Sequence, residues 1–155
     1  MGEDQQQMSR DPHVELSAKT EYALLALLAL ARCYPSGELL QIKEIANRQG
    51  IPDRYLEQLL AVLRRAGLVQ SQRGSKGGYS LGKPPWSITV LDVLLVIEGE
   101  DLHKHRTPAT LEQAVLYGVW EQAHQAAAEV FGRHTLQVLM DEYDRKSQNN
   151  IMYYI

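Results

Sequence analysis

The feature that most constrains this chain is the tripeptide Gly50-Ile51-Pro52, set between two short apolar stripes. Upstream, Ile42, Ile45 and Ala46 recur at helical spacing, and Gly50 supplies a C-terminal stop. Downstream, Leu56, Leu59, Leu60 and Leu63 mark a second stripe that Gly67 ends. Pro52 suits the opening turn of that second helix because its φ is already helical. Arg54, Glu57, Gln58, Ala61, Arg64 and Arg65 are left on the outer face. Two helices around a glycine-containing turn, the second with a polar and basic exterior, form a helix-turn-helix pattern.

The next fifteen residues or so narrow the pattern further. "LVQSQ" (68–72) and "GYSLG" (78–82) are short alternating segments, and "RGSKG" between them reads as a hairpin tip. A β-hairpin directly behind a helix-turn-helix is the wing of a winged helix. A nucleotide-binding loop would instead follow a strand and open a helix, with its amides at the helix N-terminus. These glycines lie between two strand-like segments, and no Lys-Ser/Thr pair closes the motif.

The rest of the chain reads as helix. One begins near Ser17, a hydroxyl cap, and runs through Leu24, Leu25, Leu27, Leu28 and Leu30 to about Tyr34, before Pro35-Ser36-Gly37. It is apolar nearly all round, so it must be buried on more than one side. Thr89 with Asp92 forms a capping-box pattern ahead of a helix reaching toward Gly99. A long helix over 110–131 carries Leu111, Val115, Leu116, Val119, Trp120, Ala123, Ala127, Val130 and Phe131. These cover two faces, more than one small domain can bury, and a second copy is the economical partner. A short helix capped by Thr135 closes the fold at about Lys146.

The fold class expected is mainly α, a winged helix-turn-helix with a long C-terminal dimerisation helix. Residues 1–13 read as a disordered extension, 14–99 as the DNA-binding domain and 100–109 as a loop. Residues 110–146 hold the dimerisation and closing helices, and 147–155 a tail.

Charge is unevenly spread. From Val14 to Val90 there are ten Lys/Arg against six Asp/Glu, whereas from Leu91 to Ile155 there are five against ten. A basic half joined to an acidic half suits nucleic-acid binding coupled to assembly or sensing. No apolar run reaches the roughly 18 residues of a membrane span; "ALLALLALA" (23–31) is bracketed by Glu21 and Arg32. The polar start "MGEDQQQMSRDPH" is unlike a signal peptide, and a cytoplasmic protein is expected. Cys33 is the one cysteine, so neither an internal disulfide nor an all-cysteine metal site fits the chain. No nucleophile–base pair, paired carboxylates or metal spacing points to an enzyme.

The strings "LSAKTEYALLALLALA", "TLQVLMDEY" and above all Tyr-Leu-Glu-Gln-Leu, followed by Ala-Gly-Leu-Val and Arg-Gly-x-x-Gly-Gly-Tyr-x-Leu, carry a specific resemblance over residues 14–143. The chain resembles the Rrf-two family of bacterial winged-helix transcription regulators. The resemblance implies a homodimer whose long helices cross while two winged helices grip one palindromic operator in double-stranded DNA. Tyr55, Glu57 and Gln58 would then enter the major groove, with Glu57 accepting from a cytosine amino group. Arg73 at the wing tip would enter the minor groove, Gly74 would shape that tip, and Ser75 and Lys76 would contact phosphates. Lys19, Arg54, Arg64 and Arg65 complete the expected DNA-binding set.

The chain departs from cluster-binding members of the family, which carry three cysteines in the loop after the fifth helix. Residues 98–116 contain none, leaving His103 and His105, with Glu21 matching a position where some members supply a carboxylate. No cofactor and no metal site is therefore expected. A mixed His/Glu metal or cluster site remains the alternative for sensing, and Cys33 reads as a small buried hydrophobe. A small effector or a protein partner is the other candidate signal, since one family member partners a metabolic enzyme. A winged helix used only to bind protein would have no need of Arg54, Arg64, Arg65, Arg73 and Lys76.

Overall fold

The computed structural model describes residues 15–99 and 106–153. The 1–13 extension and most of the 100–109 loop, with His103 and His105, lie outside the described residues.

Helix α1 (Ala18–Arg32) is the hub, as its all-round apolarity requires. Ser17 Oγ accepts the Thr20 N–H at 3.2 Å, so the expected hydroxyl cap is present. Ala23, Ala26, Leu27, Leu30 and Ala31 are fully buried, and four other helices pack around them. The small alanines let those neighbours approach closely, while the leucines fill the space between them.

Helix α2 (Ile42–Gln49) and helix α3 (Asp53–Arg65) bury the stripes read from the sequence. Ile45, Leu56, Leu60 and Leu63 are fully enclosed. Gly50 ends α2 at φ +64°, the left-handed conformation that glycine adopts without Cβ strain. Pro52 stands one residue outside α3 as its N-cap, not within its first turn. Its carbonyl accepts the Leu56 N–H at 3.0 Å, and with no N–H of its own it adds no orphan donor there.

Strands β1 (Val69–Gln72) and β2 (Gly78–Leu81) form the expected hairpin, in the register Val69↔Leu81 to Gln72↔Gly78. Leu40 adds a bridge to Tyr79, with backbone hydrogen bonds of 3.0 and 2.7 Å that tie the wing to the segment before α2. This close approach explains Gly78, and the tight hairpin itself explains Gly77. A Cβ at Gly78 would come within 2.8 Å of the Leu40 carbonyl oxygen, and one at Gly77 would collide with that of Gln72.

Past a single turn at Pro85–Ser87, helix α4 (Val90–Glu98) begins with the full capping box. Thr89 Oγ1 accepts from Asp92 N at 3.0 Å and Asp92 Oδ2 from Thr89 N at 2.9 Å. Helix α5 (Leu111–Arg133) starts at the Thr110 cap and packs on α4. Helix α6 (Leu136–Tyr153) returns to α1, burying Leu136 and Met140. Arg32 pairs with Asp144 at 2.8 Å and lies 4.8 Å from the Tyr143 ring centre.

The closing helix does not stop near Lys146. It continues through Tyr153, into the segment expected to be a tail. Ser147-Gln148-Asn149-Asn150 is polar and a weak helix former, which suggests an end, but it holds no glycine or proline to break the ladder. Glu142 also pairs with Arg145 and Lys146 one turn on, bracing the exposed side where the helix was expected to stop.

Candidate nucleic-acid interface

Burying the leucine stripe of α3 dictates which residues face out. Arg54, Glu57, Gln58, Arg64 and Arg65 are all exposed, and Tyr55 keeps 40% of its surface. At the wing, Arg73, Gly74, Ser75 and Lys76 are exposed together, in a turn closed by Gly77 N–H donating to Gly74 C=O at 3.0 Å. Gly74 has φ +115°, so any side chain there would strain the tip. Lys19 is exposed in the first turn of α1. The interface is thus a protruding helix face beside a cationic loop, with both elements anchored from behind by buried leucines.

Two contacts that sequence reading missed order this surface. Arg64 Nη1 donates to Ser71 Oγ on β1 at 3.2 Å, a direct link from α3 to the wing. Arg64 therefore has a partner within the protein and presents its remaining guanidinium donors outward. Tyr22 of α1 meets Tyr55 edge to face, with ring centres 5.8 Å apart and planes at 76°. Such aromatic pairs add about 0.5–1.5 kcal/mol beyond area burial and restrict the ring orientation. Periodicity marks which face of a helix is buried but not which side chains cross between elements. Tyr22 carried no such signal, because α1 is apolar nearly all round.

The second surface is on α5, which has no buried residue at all. Leu111, Val115, Val119, Trp120 and Val130 expose 78, 65, 56, 63 and 42% of their surfaces; Ala123 is exposed and Ala127 half-buried. At 3.6 residues per turn, Val115, Leu116, Val119, Trp120, Ala123, Ala126 and Val130 share an arc of about 140°. Tyr117 and Phe131 lie just past the Trp120 edge of that arc and are half-buried; α5 packs on α4.

Of the candidate metal donors, Cys33 and Glu21 fall within the described residues, and His103 and His105 do not. Among the described residues, no three His, Cys, Asp or Glu side chains lie together. Cys33 caps the C-terminal end of α1 and is buried, whereas Glu21 is exposed in its first turn. Twelve residues of helix, about 18 Å, separate them. Burial pushes the Cys33 thiol above the usual cysteine range, although the Arg48 guanidinium 4.0 Å from Sγ acts in the opposite sense. The thiolate that binds metal or attacks a disulfide is thereby disfavoured.

The family model for Rrf2, described as an iron-dependent transcriptional regulator, matches residues 16–142. The chain is similar to the HTH-type transcriptional regulator CymR of Bacillus subtilis, 35% identical over 146 residues, covering 92% of this chain and all of the relative. Among solved structures, that of CymR, the global cysteine regulator of B. subtilis, superimposes with a TM-score of 0.73 at 34% identity, covering 84% of this chain and 98% of that one. IscR of T. potens superimposes at 0.72 with 36% identity, covering 84% and 88%. With its winged helix, its open polar and basic face and this agreement over nearly its whole length, the chain belongs to the Rrf2 family and is a DNA-binding, helix-turn-helix transcriptional regulator.

Proposed function

We propose that the protein acts as a homodimer, bringing two copies of the α3 and wing surface to one palindromic operator, without an iron–sulfur cluster. The observation that carries this reading is the pairing of two open surfaces on one chain. One is polar and cationic; the other, on α5, is apolar and long enough to seat a second α5. Tyr55, Glu57 and Gln58 read bases in the major groove, and Glu57 accepts from cytosine, the acidic readout that the groove chemistry allows. Arg73 enters the minor groove, and Ser75, Lys76, Lys19, Arg54 and Arg65 contact phosphates. A carboxylate facing a polyanion is costly unless it makes such a base contact, which supports a reading role for Glu57.

The family description names iron, and the donor set of this chain does not fit a thiolate-held cluster. Iron–sulfur clusters draw mostly on cysteine ligands. Here the one thiol is buried at the C-terminal end of α1, and residues 98–116 contain no cysteine. The signal then comes from a small effector, a protein partner or the amount of the regulator itself. An exposed aromatic pair favours the partner: Trp86, 61% exposed, stands edge-on to Tyr34 with ring centres 5.7 Å apart.

Salt dependence tests the DNA-binding mode. If a dimer neutralises about 6–10 phosphates, affinity for a duplex falls by about 10³–10⁵ between 50 and 200 mM salt. Affinity that scarcely changes over that range contradicts a grip on grooves and backbone.

A further inference from the structure

The C-terminal end of α4 is fastened to the N-terminal end of α1 by a carboxylate. Glu98, the last residue of α4, accepts a hydrogen bond from Thr20 Oγ1 at 2.6 Å and a second from Ser17 Oγ. Thr20 is fully buried, the one buried polar side chain among the described residues, and its hydroxyl is satisfied by this contact. Ser17 also accepts the Thr20 N–H, so the carboxylate, the cap and the first turn of α1 form one connected group. The negative charge sits at the positive end of the α1 dipole, which strengthens the arrangement.

Two residues beyond Thr20 is Tyr22, and Tyr22 carries the ring against which Tyr55 of α3 is set. The first turn of α1 therefore holds Glu98 of α4 through Thr20 and, two residues on, meets Tyr55 of α3 through Tyr22. Side chains at i and i+2 point to different sides of a helix, so the link from Thr20 to Tyr22 is the helix backbone itself.

We propose that Glu98, Thr20 and Tyr22 are positioning residues for DNA recognition: the carboxylate fixes the first turn of α1, and through Tyr22 it fixes the ring of Tyr55 at the duplex. The inference rests on the reading of Tyr55 as a base-contacting residue. It assigns the α4–α1 junction a role in affinity for the operator. Spatial continuity alone does not establish coupling, so the test is a double-mutant cycle.

The probe is a duplex selected from a random pool by the wild-type protein, and the variants are Thr20→Val, Glu98→Gln, Tyr22→Leu, Tyr55→Ala and their pairs with Tyr55→Ala. Thr20→Val keeps the shape of the buried side chain and removes the donor to Glu98 together with the oxygen that accepts from Ser17 Oγ at 3.1 Å. Thr20→Val and Tyr22→Leu are each expected to weaken binding by about two- to tenfold, the range an aromatic pair contributes. The salt slope should not change, because no cation is lost. In the Tyr55→Ala background these losses should shrink toward nothing. Equal losses with and without Tyr55 would show a general structural effect and overturn the proposal, as would full affinity in Thr20→Val and Tyr22→Leu. If Thr20→Val melts below the assay temperature, Glu98→Gln, which keeps the volume and weakens the acceptor, decides by the same criteria. Tyr55→Ala binding the selected duplex and its variants as the wild type does would overturn the base-contact reading and the proposal together.

Discussion

At the scale of single residues, Glu57 separates base reading from generic attraction. It is exposed on α3 between the outward Arg54 and Gln58, on the face opposite the buried leucines. Facing phosphates, a carboxylate there would only repel; facing a cytosine amino group, it accepts a hydrogen bond. Glu57→Ala should relax base preference at one position per half-site by about 1–3 kcal/mol, measured by competition among single-base variants of the bound duplex. A uniform change in affinity across all variants would mean that Glu57 reads no base. Its place on the outer face was legible from the spacing of Leu56, Leu59, Leu60 and Leu63. The Tyr22–Tyr55 and Arg64–Ser71 contacts were not, because they join side chains whose separation along the chain carries no period.

At the scale of elements, local chemistry predicted most boundaries to within one or two residues. The Thr89–Asp92 capping box, the left-handed Gly50 and the Gln72-to-Gly78 turn are self-contained signals, formed by neighbours in sequence. The end of α6 lacked such a signal. Its length rests on the absence of a breaker and on exposed ion pairs, each individually weak. Helix α5 was legible as too apolar for one chain, and its exposed arc agrees with that reading. Because Val119 lies in the middle of the arc and is 56% exposed, Val119→Asp should leave the fold of the monomer intact. It should shift sedimentation from dimer to monomer and take tight operator binding with it. An unchanged sedimentation coefficient would place the dimer contact elsewhere.

At the scale of the whole molecule, two halves with opposite charge balance divide the work. The basic half presents the α3 and wing face; the acidic half carries α5 and the α6 helix that returns to brace α1 through Arg32 and Asp144. Iron and acid-labile sulfide, assayed after anaerobic purification, should fall well below one per chain. Stoichiometric amounts of both, with visible absorption lost on mutating His103 or Glu21, would assign this chain a mixed-ligand cluster. Cluster-free operator binding by a dimer is tested most directly by selection from a random duplex pool with chelator-treated protein, the chains per selected duplex being counted by sedimentation. An enriched inverted repeat bound by two chains, with no metal added, is the predicted result. Absence of any enriched sequence, or enrichment that returns only when iron and sulfide are restored, would contradict it.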